Sequence, residues 1–188
     1  MNWIKDFIPT MKRNISQTFG NDKDSKIPEG LWKSCDKCGS ILYIPELKKN
    51  SYVCSKCSHH FKVNVTERID ITFDKDTYVN LNDAEQFNDY LQFKDTKKYK
   101  DRYQDALAKS GADEAISIGT GKVLGKDIVV AIFEFDFLGG SMGAVVGKRF
   151  TKAVDYAVEH NFPLVAFSTS GGARMQESMT VSYTHLTL

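Results

Sequence analysis

The residues best placed for chemistry are four cysteines, which fall as two C-x-x-C pairs, Cys35 with Cys38 and Cys54 with Cys57, fifteen residues apart. Each C-x-x-C turn points two thiolates at one centre, and two such turns facing each other supply the closed sulfur tetrahedron of one structural zinc ion. No coordination position is left open, so the metal is expected to fold a ribbon rather than to activate water. Two disulfides are the competing reading. They need an oxidising compartment, and the opening Met-Asn-Trp-Ile-Lys-Asp-Phe-Ile-Pro lacks the apolar run and small-residue cleavage site of a secretory signal. That favours zinc and a cytoplasmic setting. A thioredoxin-type redox pair would sit between a strand and a helix, and neither pair does. His59 and His60 follow the last cysteine, and beside four cysteines in register they read as neighbours of the site rather than ligands.

Two glycine-rich segments are the second chemical candidate: Phe137-Leu-Gly-Gly-Ser-Met-Gly143 and Ser170-Gly-Gly-Ala-Arg-Met-Gln-Glu177. Glycines between a strand and a helix let the backbone turn sharply and aim N–H groups outward, with the positive end of the helix dipole behind them. Gly171 and Gly172 fit as two backbone donors to a developing negative oxygen; tight turning alone is the bland alternative. Ser170 lacks the G-x-S-x-G setting of an activated nucleophile. Nucleotide motifs fail on spacing. Gly143 and Gly147 are separated by three residues and Lys148 is followed by Arg149, while Gly119-Thr-Gly121 lies in an expected hairpin.

The elements that must position these residues follow from periodicity and turn signals. Ile41–Ile44 and Tyr52-Val53 are expected as short ribbon strands, and Phe61–Val65 alternates as a strand leaving the ribbon. Thr66 is a capping candidate, and a helix is expected from Lys97 to Lys109, ended by Gly111. The Lys97-Lys98-Tyr99-Lys100 cluster could meet phosphates or simply form a solvated helix face. Ala115–Val123 and Asp127–Phe135 read as strands joined at Gly125-Lys126. A helix then places Phe150, Ala153, Val154 and Ala157 on one face, and Pro163–Ser168 reads as a buried strand. Strand, glycine loop, helix, strand, glycine loop is an α/β order, with both loops at the carboxyl ends of strands where such folds bind ligands.

Composition narrows the class. With 41% hydrophobic and 26% charged residues over 188 positions, the chain can bury one ordinary core beside a ribbon too small to fold without metal. A net charge of +1 imposes no overall field toward nucleic acid or an anionic membrane, and no apolar run is long enough to span a bilayer. Residues 1–30, with the polar run Gly20–Lys26, read as a mobile arm, 31–65 as the ribbon and 66–178 as the α/β part.

The ribbon, followed by Phe135-Asp-Phe-Leu-Gly-Gly-Ser-Met-Gly-Ala-Val-Val-Gly147 and then Ser170–Glu177, closely resembles the beta subunit of bacterial-type acetyl-coenzyme A carboxylase carboxyltransferase. The resemblance implies a crotonase-like fold of stacked ββα units, here incomplete, with an alpha subunit supplying the other half of the site in an alpha2-beta2 assembly. It also implies carboxyl transfer from carboxybiotin on a biotin carboxyl carrier protein, loaded by biotin carboxylase, to acetyl-CoA, giving malonyl-CoA for fatty-acid synthesis. By the family pattern Gly171 and Gly172 hold the enolate oxygen, Gly139, Gly140, Ser141, Met142 and Gly143 lie against coenzyme A, and Arg149 and Arg174 are phosphate or scaffold contacts. After Ser178 the sequence departs from the family. Its β-branched and hydroxyl residues make a poor helix, and 179–188 reads as a non-native tail on a fragment expected to be inactive alone. Two rivals remain: a nucleic-acid-binding ribbon, carrying Lys33, Lys37, Lys48, Lys49 and Lys56, and a subunit of a related acyl-CoA carboxylase or decarboxylase.

Overall fold

A computed structural model describes residues 30–84 and 87–177, which divide into two compact units, one ending at His59 and the other beginning at His60. The expected arm before residue 30 and the expected tail after 178 lie outside the described residues.

In the first unit β1 (Trp32–Ser34) pairs antiparallel with β2 (Ile41–Tyr43), Lys33 opposite Leu42. The strand expected through Ile44 stops at Tyr43 because Pro45 cannot donate to a ladder; it sits instead in the first turn of α1 (Ile44–Lys49). The strand expected at Tyr52-Val53 shrinks to a bridge at Val53, since Ser51 and Tyr52 take left-handed φ values of 50° and 59°. Among the described residues of this unit Cys35, Leu42, Leu47, Tyr52 and Cys54 are the buried apolar ones, a small core.

The second unit opens differently from expectation. Phe61–Val65 forms no strand: Asn64 accepts from the Glu67 N–H at 2.8 Å while Glu67 accepts from the Asn64 N–H at 3.0 Å, a reciprocal cap that starts α2 (Val65–Thr72). The cap thus lies at Asn64 rather than Thr66. Helix α3 (Tyr99–Ser110) ends as expected at Gly111, whose φ of 67° lets its N–H reach the Leu107 carbonyl.

The sheet runs β3-β4-β5-β6. β4 (Ile116–Val123) and β5 (Lys126–Phe133) form an antiparallel ladder closed by Leu124 and Gly125, both at positive φ, one residue ahead of the expected turn. β3 (Val79–Asn80) edges β4, and β6 (Leu164–Phe167) runs parallel to β5 after the crossover helix α4 (Ala144–His160). The succession β4, β5, α4 is one ββα unit of the expected crotonase-like α/β fold. Period two places Ile116, Ile118, Val129 and Ala131 in one core with Val146, Ala153 and Ala157 of α4 and with Tyr99, Tyr103 and Ala106 of α3. Val130 and Ile132 are buried as well, with α2 lying against β5.

The glycines of Gly119-Thr-Gly121 serve packing. A Cβ at Gly119 would stand 2.3 Å from the Tyr78 ring and one at Gly121 2.7 Å from the Phe73 ring. Helix α4 buries Val146, Arg149, Ala153 and Ala157, so its inner face includes Arg149 in place of the expected Phe150. β6 is half-exposed rather than buried, because among the described residues it pairs with β5 alone. Among the described residues no helix is long and apolar enough to cross a membrane.

Candidate functional site

The metal centre of the first unit is built twice from the same turn. The Gly39 N–H donates to the Cys35 carbonyl at 2.8 Å and the Ser58 N–H to the Cys54 carbonyl at 2.9 Å. Cys35 in turn donates its N–H to Ser40, and Cys54 to His59, at 2.9 and 2.8 Å. Gly39 and Ser58 occupy equivalent left-handed positions, φ 70° and 57°. The two turns bring all four Sγ atoms within 4.8 Å of one another, with 3.7 Å between Cys35 and Cys57 and 3.8 Å between Cys38 and Cys54. A tetrahedron with Zn–S bonds of about 2.3 Å has edges of about 3.8 Å, so the donor set fits zinc, and all four cysteines are free thiols rather than disulfides. Ser40, bonded to Cys38 at 3.3 Å, draws that thiol down to about 6, whereas desolvation and then the neighbouring sulfurs push Cys57 up to about 12. Four thiolates this close need a cation at their centre. His59 contributes its carbonyl, and the cluster contains cysteines alone.

In the second unit the two glycine segments are joined side by side. The Gly171 N–H donates to the Gly139 carbonyl at 2.9 Å, the Met142 N–H to the Gly172 carbonyl at 2.8 Å, and the Arg174 N–H to the Met142 carbonyl at 2.9 Å. The last two bonds make a parallel bridge between Met142 and Ala173. Close approach explains the glycines: a Cβ on Gly140, already at φ 67°, would stand 2.3 Å from the Thr169 carbonyl oxygen. Of the two expected donors, Gly171 therefore spends its N–H inside the seam. Among the described residues the Gly172 N–H goes to the Ser170 hydroxyl, two residues before it, at 3.1 Å. Gly171 is exposed, Gly172 and Ser141 half-buried, and Met142 exposed. A cavity of about 340 Å³ opens beside Gly139, bordered by Phe135 and Leu138.

Arg174 holds the seam from beneath. Its side chain is fully buried, and burial alone would lower its basicity, yet the hydrogen bonds and charge of Glu114, together with Tyr99, outweigh that and raise it. The guanidinium donates to both Glu114 oxygens, to the Ser141 carbonyl at 2.8 Å, to the Ser141 hydroxyl at 3.1 Å, to Tyr99 at 3.2 Å and to Glu177 at 3.2 Å. Glu177 also accepts the Tyr99 hydroxyl at 2.6 Å and the Ala144 N–H at 2.7 Å, so one carboxylate ties α3 to the N-terminus of α4. Desolvation, with the bond to Glu177, pushes the Tyr99 phenol up.

Arg149 is equally committed to the interior. It forks onto Asp113 at 3.0 and 2.5 Å and reaches the Ile116 and Asp83 carbonyls at 2.9 and 3.0 Å. Both arginine side chains are thus hydrogen-bonded within the fold. Near the basic cluster, Lys97 pairs with Asp105, and Arg102 pairs with Asp95, pulling that carboxyl down to about 2. Each pair ties the segment before α3 to the helix itself. Sequence reasoning missed Glu114 and Tyr99. Glu114 is the second of two adjacent acids, Asp113 and Glu114, immediately ahead of the apolar run of β4, and nothing in that pair marks which of them is buried.

Comparison with known proteins agrees with both units. The acetyl-CoA carboxylase zinc finger domain matches residues 32–57, and the carboxyl transferase domain matches residues 61–184, a span that overlaps residues 179–184 of the tail read as non-native. Among solved structures, a transcarboxylase 12S hexamer core with methylmalonyl-coenzyme A and methylmalonic acid bound is 21% identical over 66% of this chain and 22% of that one, at a TM-score of 0.45. The beta subunit of P. aeruginosa geranyl-CoA carboxylase is 17% identical over 76% and 22%, at 0.45. A Pseudomonas malonate decarboxylase hetero-dimer is 20% identical over 62% and 40%, at 0.43. The chain spans between about a fifth and two-fifths of the length of these solved chains. The chain belongs to the carboxyl transferase domain family, and it carries an acetyl-CoA carboxylase-type zinc ribbon ahead of that domain.

Proposed function

We propose that this chain is the carboxyltransferase beta subunit of an acetyl-CoA carboxylase, working with an alpha subunit, a biotin carboxyl carrier protein and biotin carboxylase in the cytoplasm to form malonyl-CoA for fatty-acid synthesis. The observation that carries it is the conjunction, in one chain, of an acetyl-CoA carboxylase-type ribbon and the carboxyl transferase domain. Carboxybiotin, brought by the carrier, would supply the carboxyl group and the proton acceptor. When the acetyl methyl group loses its proton, negative charge collects on the thioester oxygen, and a donor already in place there lowers the barrier. The Gly172 N–H suits this role because rotation of the Ser170 hydroxyl releases it, whereas the Gly171 N–H becomes available only if the seam at Gly139 opens. Gly139–Gly143 would line the acyl-CoA, with the cavity beside Gly139 giving room for it. Arg174 supports the loops through Ser141, and Arg149 ties α4 to Asp113 and Ile116. The test is competition in the complete carboxyltransferase: acetyl-CoA should outcompete propionyl- and geranyl-CoA as carboxyl acceptor. Preference for a longer acyl chain would move the assignment to a related acyl-CoA carboxylase, and absence of transfer from malonyl-CoA to biotin would refute the enzyme reading.

A second reading has its own observation. Trp32 is 54% exposed and lies 5.1 Å from the Tyr43 ring, on the hairpin that carries Lys33, and exposed aromatics among lysines suit stacking on nucleic-acid bases. Binding of single-stranded RNA that weakens steeply with salt and is lost in Trp32→Ala would support it; salt-independent or absent binding would remove it.

A further inference from the structure

Glu114 lies between α3 and β4, outside both glycine segments, yet its side chain is only 1% exposed and both its oxygens face Arg174. One oxygen also accepts the Ala115 N–H at 2.7 Å, which anchors the carboxylate to the base of β4. The guanidinium it grips reaches Ser141 twice, through the carbonyl at 2.8 Å and the hydroxyl at 3.1 Å. Arg174 itself belongs to the second glycine segment and donates its N–H to Met142 of the first. One planar group therefore sets the register of both segments, and a bidentate carboxylate sets the plane of that group.

We propose that Glu114 is a positioning residue for carboxyl transfer: by fixing the Arg174 plane it holds the seam between the glycine segments and so aims the Gly172 N–H at the charge that develops on the thioester oxygen. The proposal rests on the functional reading above. Glu177 and Tyr99 also touch Arg174, at 3.2 Å each, so loss of Glu114 leaves the guanidinium two partners toward which it can turn. Such a turn pulls on the Ser141 carbonyl while the strands stay in place. A shift of about 1 Å in a donor costs roughly 100-fold in rate without comparable loss of ground-state binding.

The test uses the complete carboxyltransferase with acetyl-CoA as acceptor. Glu114→Gln offers one acceptor oxygen where two are used, and should lower kcat by about 30- to 100-fold with KM for acetyl-CoA changed less than about twofold. Glu114→Asp keeps the charge and one contact, and should recover part of kcat. Hydrogen exchange at the Met142 and Arg174 amides should quicken in the Gln variant while that at Val130, in β5, does not. A purely structural role predicts instead a lower melting temperature with kcat per folded enzyme unchanged, and that result overturns the proposal. If the Gln variant does not fold, the Asp variant decides: wild-type kcat with wild-type exchange at the seam overturns it. Inactive wild-type enzyme would bring down the functional reading and the proposal together, whereas active wild-type enzyme with an unaffected Glu114→Gln brings down the proposal alone.

Discussion

The ribbon and the glycine platform both bring two turns together, by opposite means. In the ribbon the turns are copies: Cys35 and Cys54, then Gly39 and Ser58, make the same bonds at nearly the same distances, and the partner of every turn bond lies within five residues. The platform joins unlike segments, and its fastening comes from Glu114 and Tyr99, which are 60 and 75 residues from Arg174 in sequence. A site assembled by repetition of a local motif is visible in spacing. A site held by one buried ion pair across the fold is not.

The largest expected effect breaks the ribbon. Removing zinc with a chelator, or replacing Cys54 by Ser, should unfold residues 30–59, because structural zinc contributes on the order of 10–16 kcal/mol to such small units. Loss of amide protection at Tyr52 with retained protection at Val129 would show it; protection at both would contradict it. Next comes the platform. Arg174→Met leaves the Glu114 carboxylate buried without its cation and should cost about 3–5 kcal/mol, read as a lower denaturant midpoint.

A matched pair of glycines sharpens the contrast. Gly39 and Gly140 have nearly the same φ, 70° and 67°, but a Cβ at Gly39 meets open space while one at Gly140 meets the Thr169 carbonyl oxygen. Alanine should therefore cost about 1 kcal/mol at Gly39, from the left-handed backbone alone, and at least about 2 kcal/mol at Gly140. Equal costs would mean that the seam yields. The smallest effect concerns acid. Hydrogen bonds from Arg149 hold the Asp113 carboxyl below its ordinary value, so this pair contributes fully above about pH 4 and loses its contribution as pH falls through the lower folded value. With its carboxylate 59% exposed, Asp113→Asn should cost under about 1 kcal/mol at pH 7 and flatten the stability curve below pH 4.

What the sequence made legible follows the same division. The cysteine turns, the β4–β5 hairpin, the Gly111 stop and the location of both glycine segments all depend on residues a few positions apart. Phe61–Val65 misled because its alternation matches a strand, whereas the Asn64–Glu67 cap starts a helix within it. On α4 the expected Ala153 and Ala157 are buried, but Arg149 takes the inner position expected for Phe150 because it is buried against Asp113, which no apolar pattern reveals. The Gly171 N–H looked available until the approach of Gly139 placed a carbonyl before it. Glu114 carried no motif at all.

The most direct measurement is carboxyl transfer from malonyl-CoA to biotin by the complete carboxyltransferase carrying Gly172→Val, beside Gly125→Val as a control. Both glycines take positive φ, 110° and 76°, with open space around the missing Cβ, but only Gly172 lies in the platform. If the Gly172 N–H meets the developing charge, Gly172→Val should lose about 100- to 1,000-fold in kcat while Gly125→Val stays near wild type. Wild-type kcat in Gly172→Val, or equal loss in both, would show that the platform does not carry the reaction.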